Sequence, residues 1–402
     1  MLRRQIIAAT VLFCLGCGAG SPKPAQEKIQ NTDSRVGDEW ATRYGGPTDA
    51  ATLTDKEQTL WDRVSERAGV HCKHDPRLTH VARQYASDLA QSPNRQSGGD
   101  LDRLRFVLAR SGAVDYRIQP VVAKLDDEGI ESFVRLVAER QGNVSHCGLG
   151  VVGTGVDGRS VWIGVNRIVE VDPFPSTAQP GARITIGGKV LKRSRVPVQL
   201  FIGHPDGSVS RLPPVRLIGG GRFVTTVTFE EVGRYEIELL TDAGKGSETA
   251  ILVPIFIGVK PDYVPKVTPD VRDGDNARSL DDTLLDYLNA ARARHGLSLL
   301  IRDARLDRVA KAHSMDMAGS DFFGHVSPSR GTLTDRLANG GLSPARTAEN
   351  VARSHNLIRI HRNLMDSPSH RVNILDSVLT HVGIGVVRDG KDLIVTEIFA
   401  RW

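Results

Sequence analysis

Two short patterns occur twice in this chain, in the same order, and this repeat restricts its fold more than any other feature. Residues 77–82 (RLTHVA) match residues 305–310 (RLDRVA), and residues 145–152 (SHCGLGVV) match residues 380–387 (THVGIGVV). The second copies lie 228 and 235 residues after the first, so the two blocks have similar internal lengths. Apolar and glycine positions shared in this way indicate two domains with one fold. The alternative is chance similarity between two α/β blocks.

The second block contains three candidate site residues in segments rich in Gly, Ser, Pro and Asn. They are His325 in GHVSP, Glu349 in AEN and His370 in SHRVNIL. Imidazole and carboxylate groups bind zinc and transfer protons, and loops on a rigid scaffold often carry such groups. The sequence therefore predicts a shared cleft. The structural alternative is that the three side chains bond to one another and hold the loops in place.

These motifs resemble the bacterial form of the CAP superfamily (cysteine-rich secretory proteins, antigen 5 and pathogenesis-related 1 proteins). GHVSP, AEN and SHRVNIL are followed in the family's order by HVGIGV at 381–386 and VTEIF at 395–399. The resemblance extends over about residues 280–402. It implies a CAP-type α-β-α sandwich at the C-terminus and, through the repeat, a diverged CAP-like α/β domain near the N-terminus.

The resemblance also implies a site. In that family two His and two Glu usually line a central cavity, and His325, Glu349 and His370 match three of the four positions. The fourth, a Glu on the helix before the second His, has no match, and Asp366 is only the nearest carboxylate. In the first block the same offsets place Ser97 opposite His325 and Arg135 opposite His370, so that block is predicted to lack the chemistry.

Residues 1–17 are predicted to be a lipoprotein signal peptide. Two arginines precede a short apolar run, and LGCG at 15–18 resembles a lipobox in which Cys17 is acylated. The alternative is a secretory peptide cleaved near Ala19. Both alternatives export the chain, and Gly18 rather than Asp after the cysteine favours the outer membrane or cell surface.

Composition and periodicity divide the remainder into segments and predict an α+β protein. Between the two α/β blocks, short strands separated by turns such as Pro205-Asp206-Gly207 indicate an all-β immunoglobulin-like sandwich, which acts either as a spacer or as a binding module. The predicted segments are a flexible tether at 18–51, the diverged CAP-like domain at 52–171, the β-sandwich at 172–259, a linker at 260–279 and the CAP (SCP) domain at 280–402.

Cys72 and Cys147 are the two cysteines outside the signal segment. In an exported domain two cysteines suggest one disulfide. A zinc site with His71, His74 and His146 and a pair of buried free thiols are the alternatives, but the spacing matches no standard zinc finger.

The function predicted from these residues is binding of a lipid, glycan or envelope protein in the cleft, with the membrane as a partner through the lipid anchor. A divalent metal such as zinc is the candidate cofactor, held by His325, Glu349 and His370. The alternative is a metal-assisted hydrolase of peptide or cell-wall material. A formal net charge of +5 over 402 residues does not indicate a nucleic-acid binder.

Overall fold

The computed structural model describes residues 40–46, 52–69, 71–91, 101–192, 197–242, 247–262, 279–320 and 322–402. The predicted signal peptide, the predicted acylation site Cys17 and Ser97 lie outside these residues, as do most of the predicted tether and linker. The described helices and strands belong to the unit Glu39–Trp402.

The N-terminal domain is a four-stranded sheet with helices on both faces. Its strand order is β2-β4-β5-β3, with β2 parallel to β4 and the other pairs antiparallel. Leu60 and Phe133 of the outer helices pack on one face, and Leu78 and Leu104 pack on the other. The elements are α1 (Asp55–Ala68), β2 (Lys73–His74), α2 (Pro76–Gln91), α3 (Leu101–Arg110), β3 (Ile118–Leu125), α4 (Asp127–Arg140), β4 (His146–Val152) and β5 (Gly155–Val165), preceded by β1 (Arg43–Tyr44).

The middle domain consists of two sheets that enclose one apolar core. The sheet orders are β11-β10-β13-β14-β8 and β12-β9-β6, and both sheets contribute to a cluster that includes Ile186, Phe223, Ile237 and Val253. The strands are β6 (Val169–Val171), β7 (Phe174–Pro175), β8 (Thr177–Ala178), β9 (Ala182–Val190), β10 (Gln199–Gly203), β11 (Val209–Arg211), β12 (Arg222–Phe229), β13 (Gly233–Asp242) and β14 (Ser247–Ile257), with a 3₁₀ turn at Gly219–Gly221.

The C-terminal domain repeats the layers of the first. Its sheet order β15-β17-β18-β16 has one parallel edge pair, β15 with β17, and antiparallel pairs elsewhere. Leu288 and Ile360 pack on one face, and Leu306 and Leu337 pack on the other. The elements are α5 (Leu280–Arg294), β15 (Ile301–Arg302), α6 (Ala304–Gly319), α7 (Leu333–Asn339), β16 (Arg346–Ser354), α8 (Leu357–Asp366), α9 (Pro368–Ile374), β17 (His381–Asp389) and β18 (Asp392–Arg401).

The repeated glycines have the same role in both sheets. A Cβ atom on Gly148 would lie 2.2 Å from the carbonyl carbon of Leu78 in α2, and one on Gly383 would lie 2.2 Å from that of Leu306 in α6. Such distances exclude any side chain, so glycine is what lets each helix pack directly on its strand. This close packing explains why GLG and GIG occur at matching positions.

The structure differs from two of the predicted boundaries. Residues 40–46, which fall within the predicted tether, pack against the folded domains, because β1 pairs with β7 and Tyr44 is fully buried. Trp40 also packs edge-on against Phe106 and Phe256, so this segment buries aromatic surface. The polar residues around it in the sequence led to the prediction of a tether. The first domain ends before residue 171, because β6 pairs with β9 of the middle domain.

No helix among the described residues is both long enough and apolar enough to span a bilayer. The described part of the chain contains a disulfide between Cys72 and Cys147, whose Cα atoms lie 5.7 Å apart. It connects the segment before β2 to β4, beneath α1 and α4. Because the link joins residues 75 positions apart, it closes a long loop in the unfolded chain.

Candidate functional site

Glu349 lies at the centre of the candidate site. It is on β16, and its side chain is only 3% exposed. One carboxylate oxygen accepts a hydrogen bond from His325 Nδ1 at 3.0 Å, and the other pairs with the buried guanidinium of Arg336 on α7. Burial raises the pKa of Glu349, but His325 and Arg336 outweigh that effect and lower it. Glu349 is therefore a carboxylate with both oxygens in use.

His325 is held by a compact turn. Arg336 donates to the His325 carbonyl at 2.8 Å, so one arginine fixes both the loop and the carboxylate. Ser327 supports the turn by donating to Asp316 at 2.6 Å and by pairing through its backbone with Gly331. The His325 side chain is 36% exposed although its Nδ1 bonds Glu349.

His313 of α6 is a packed core residue. It is fully buried, and its Nε2 lies 3.0 Å from the Gly324 carbonyl. It therefore supports the backbone of the segment that carries His325.

His370 lies in the first turn of α9, and its ring is anchored through Nδ1. Its Nδ1 is 2.6 Å from Ser367 Oγ, and its carbonyl accepts from Asn350 at 3.3 Å. Close protein packing and the nearby His325 charge lower the pKa of His370 to about 3, so the ring is a neutral imidazole. Asn373, one turn later, donates to the Glu349 carbonyl at 3.4 Å and ties α9 to β16.

The cavity lined by His325, Glu349 and His370 has a volume of about 610 Å³. The structure therefore brings the three predicted residues to one cleft. Asp366, the nearest carboxylate in sequence, is absent from the lining of this cleft. It lines an adjoining cavity of about 110 Å³ that shares Arg105, Tyr116 and Asn363 with the cleft.

Comparison with known proteins identifies the family of the C-terminal domain. Residues 285–399 match the sequence model of the Cysteine-rich secretory protein (CAP) family. The C-terminal domain belongs to the CAP family. The CAP domain contains every residue of the cleft that the sequence singles out.

Two Bacillus subtilis proteins share this similarity. The chain is 30% identical to the uncharacterized membrane protein YlbC over 39% of its length and 49% of that protein. It is 34% identical to the uncharacterized protein YkwD over 27% of its length and 42% of that protein. The chain thus spans less than half the length of these relatives.

Solved structures with similarity include two bacterial proteins. An extracellular protein containing an SCP domain from Bacillus anthracis is 20% identical, with 70% of this chain and 94% of that chain covered and a TM-score of 0.29. A cysteine-rich secretory protein from Staphylococcus aureus is 15% identical, with 55% of this chain and 77% of that chain covered and a TM-score of 0.26.

A carboxyl group from outside the CAP domain contacts the His370 segment. Glu238 of β13 is fully buried and accepts hydrogen bonds from Ser367 Oγ (2.8 Å), Ser369 N–H (2.6 Å) and Thr249 Oγ1 (2.8 Å). Burial raises the pKa of Glu238, and the hydrogen bonds offset only part of that effect. A hydrogen-bond chain thus runs from Glu238 through Ser367 to His370.

The sequence contains no signal for this role of Glu238. It alternates with Tyr235, Ile237 and Leu239 along a strand, a pattern typical of a solvated carboxylate on the polar face of a sheet. The adjacent strand approaches α9 so closely that a Cβ atom on Gly203 would lie 2.4 Å from the Arg371 guanidinium. Docking of the CAP domain on this face is what buries Glu238.

Glu397 of β18 is a second buried acid that sequence reasoning missed. One carboxyl oxygen accepts from Asn350 Nδ2 at 3.0 Å, and the other has no partner among the described residues. Burial raises the pKa of Glu397 to about 7. Because Asn350 also bonds the His370 carbonyl, Glu397 supports the site from behind.

His325, Glu349 and His370, the predicted metal ligands, are not arranged as a three-ligand metal site. The described residues contain no group of three or more His, Cys, Asp and Glu placed to hold a metal ion. Glu349 would have to release Arg336 or His325 before its carboxylate became a ligand. No step of the function below is therefore assigned to a metal.

Proposed function

We propose that this protein is an exported, lipid-anchored CAP-domain protein that binds an envelope component in the cleft around His325, Glu349 and His370. The anchor is the acylated Cys17 that the LGCG sequence predicts. The observation that supports binding as the function is the buried contact of Glu349 with both Arg336 and His325. It fixes the imidazole of His325, which is 36% exposed, in the lining of a cavity of about 610 Å³.

The same contact argues against hydrolysis. A general base needs a free lone pair directed at the water or hydroxyl that it deprotonates. Both Glu349 oxygens are occupied, and His370, with a pKa near 3, is a weak base. Binding of polar ligand groups requires neither a free Glu349 oxygen nor a strongly basic His370.

The pair Ser367 and His370 is the observation that favours the alternative hydrolase, since a hydroxyl hydrogen-bonded to an imidazole is the arrangement of an activated nucleophile. Ser367 is only 2% exposed, however, and it donates its single hydroxyl proton to Glu238 rather than to the imidazole. It begins α9 and is followed by Pro368 at the first helical position. This burial makes the pair a structural contact between domains.

The repeat and the middle sheets support two finer assignments. We propose that the N-terminal domain is a diverged CAP-like copy, supported by its matching strand order and helix-contacting glycines. We propose an immunoglobulin-like sandwich for the middle domain, supported by the bonds of Tyr235 Oη to the Glu231 backbone, four residues upstream. Arg135, opposite His370 in the repeat, lies on α4.

The test uses purified peptidoglycan as the probe. The mature chain and its His325→Ala/His370→Ala variant are sedimented with insoluble peptidoglycan, and soluble products are measured in the supernatant. We expect saturable binding by the wild type, loss of binding by the variant and no released product. Product release that disappears in the variant would replace binding with hydrolysis. Absence of wild-type binding would overturn the assignment of the cleft to an envelope component of this kind.

A zinc titration tests the metal separately. Calorimetric binding of zinc to one site, lost in the same double variant, would assign His325 and His370 as ligands, with their free ring nitrogens as donors. No heat of binding in either protein would leave the histidines as ligand-contacting groups.

A further inference from the structure

The cleft of the CAP domain is not formed by that domain alone. Arg105 of α3 and Arg211 of β11 belong to the other two domains, and both line the cavity that contains His325 and His370. The ligand site is thus shared by all three domains of the described chain.

The two arginines are held by aromatic rings. The guanidinium of Arg105 lies 4.8 Å from the centre of the Tyr116 ring, and that of Arg211 lies 5.6 Å from the centre of the Phe201 ring. Stacking orients a guanidinium without using all its N–H donors. The remaining donors are available to an anion in the cleft.

The cleft also has a surplus of positive charge. Its lining includes five arginines and three carboxylates. Two of the carboxylates are neutralised by lining arginines, through Arg117–Glu248 at 2.7 Å and Arg346–Asp376 at 2.6 Å. The third carboxylate, Glu349, is neutralised by Arg336 from behind the cavity wall.

Arg105 and Arg211 carry most of the surplus charge. Within the described residues Arg211 makes no ion pair, and its Nη2 bonds only the neutral Gln199 Oε1 at 3.1 Å. Arg105 reaches Asp102 only at 3.9 Å. A phosphate or carboxylate in the cleft would meet two pre-oriented guanidinium groups that lack a close anionic partner.

The cleft continues into a second cavity of about 410 Å³. The two cavities share Arg117, Glu248, Phe323 and Arg353, so they form one groove. The second cavity adds Lys192 and the amides of Asn143 and Asn166. A groove that presents cations in both cavities and amides in one of them fits an extended, hydroxyl-rich polymer that carries negative charges.

We infer that the groove binds an anionic envelope glycan or polyol, and that Arg105 and Arg211 recognise its carboxylate or phosphate groups. This inference rests on the proposed function, because it names the ligand class of the same cleft. Carboxylate and phosphate share the chemistry that a guanidinium recognises, so the two sources are separated by experiment.

The test measures binding of three soluble polymers to the mature chain by calorimetry. The probes are polygalacturonate (carboxylate), polyglycerol phosphate (phosphate) and neutral dextran. The variant Arg105→Gln/Arg211→Gln removes the two cations of the groove. The control Arg63→Gln/Arg67→Gln removes two cations of α1, where both pair with Glu131 outside the cleft. Thermal unfolding verifies that each variant is folded.

We expect at least one anionic polymer to bind, and the better of the two identifies the charged group. The groove variant should weaken that binding about tenfold or more, because each charge-assisted hydrogen bond contributes at least that factor. The control should stay within about twofold, as expected for remote, screened charges.

Three results would overturn the inference. They are binding of dextran as tight as that of the anionic polymers, an unchanged affinity in the groove variant, and no binding of either anionic polymer. The variant His325→Ala/His370→Ala separates the two proposals. If it abolishes binding of a polymer that the groove variant still holds, the cleft remains the ligand site and only anion recognition fails.

Discussion

Replacing Glu238 tests whether the middle domain is part of the CAP site. Glu238→Ala removes the acceptor of three hydrogen bonds that hold β13, β14 and the start of α9 together. Ser367 keeps a partner in His370, so the Thr249 hydroxyl and the Ser369 amide are the donors that lose theirs. At about 1–3 kcal/mol for each of these two buried donors, the contact between the domains should weaken by about 2–6 kcal/mol.

Glu238→Gln is the matched control. The raised pKa of Glu238 favours its neutral form. In that form one oxygen accepts from the Ser369 amide, and the other oxygen, which then carries the proton, donates to one of the two hydroxyls of Ser367 and Thr249 instead of accepting from it. A carboxamide reproduces this arrangement, because hydroxyls rotate to accept while the Gln oxygen faces Ser369. We therefore expect Glu238→Gln to cost less than about 1 kcal/mol.

Hydrogen exchange measures the effect where it occurs. Peptides that cover Pro368–Ile374 should exchange about 100-fold faster in Glu238→Ala than in the wild type, since 1.4 kcal/mol corresponds to about a factor of ten. Peptides from α2 should be unchanged. An exchange rate within about twofold of the wild type in Glu238→Ala would refute the reasoning. Equal acceleration in Glu238→Gln would show that the ionised carboxylate, and not the neutral acid, holds the contact.

Three further predictions concern other buried groups. Arg336→Leu should destabilise the protein by about 3–5 kcal/mol in urea unfolding, because it leaves the Glu349 carboxylate buried without its cation; adding Glu349→Gln should recover much of that loss, and no recovery would contradict the ion-pair account. The folded pKa of Glu397, about 7, lies above its ordinary value of 4.5, so its stabilising contribution is complete below pH 4.5 and is lost as pH rises through 7. Wild type should therefore lose about 2.5 kcal/mol relative to Glu397→Gln between pH 5 and pH 8; parallel pH profiles would refute the shift. Replacing both Cys72 and Cys147 by Ala should lower the free energy of unfolding by about 3–4 kcal/mol, and a melting temperature equal to that of the wild type would rule out a stabilising disulfide.

The local motifs were readable in the sequence because their causes are local. Turn residues flank His325 and Glu349, and the sequence places all three site residues in one domain. The structure brings these three residues to one cleft. The glycines at 148 and 383 were visible as a repeat because each must fit beneath a helix of its own domain. Strand alternation likewise predicted the β-rich middle domain.

The partners of those site residues were decided by tertiary structure. Glu238 precedes Ser367 by 129 residues, and its place in a strand pattern is that of an ordinary exposed acid. Arg336 has the sequence context of a surface arginine on a short helix, yet its side chain is 3% exposed against Glu349. Arg105 and Arg211 enter the cleft only because three domains pack around it. Periodicity records which face of an element is apolar, whereas the burial of a polar side chain depends on which surface docks against it, and that docking is a property of the assembled chain.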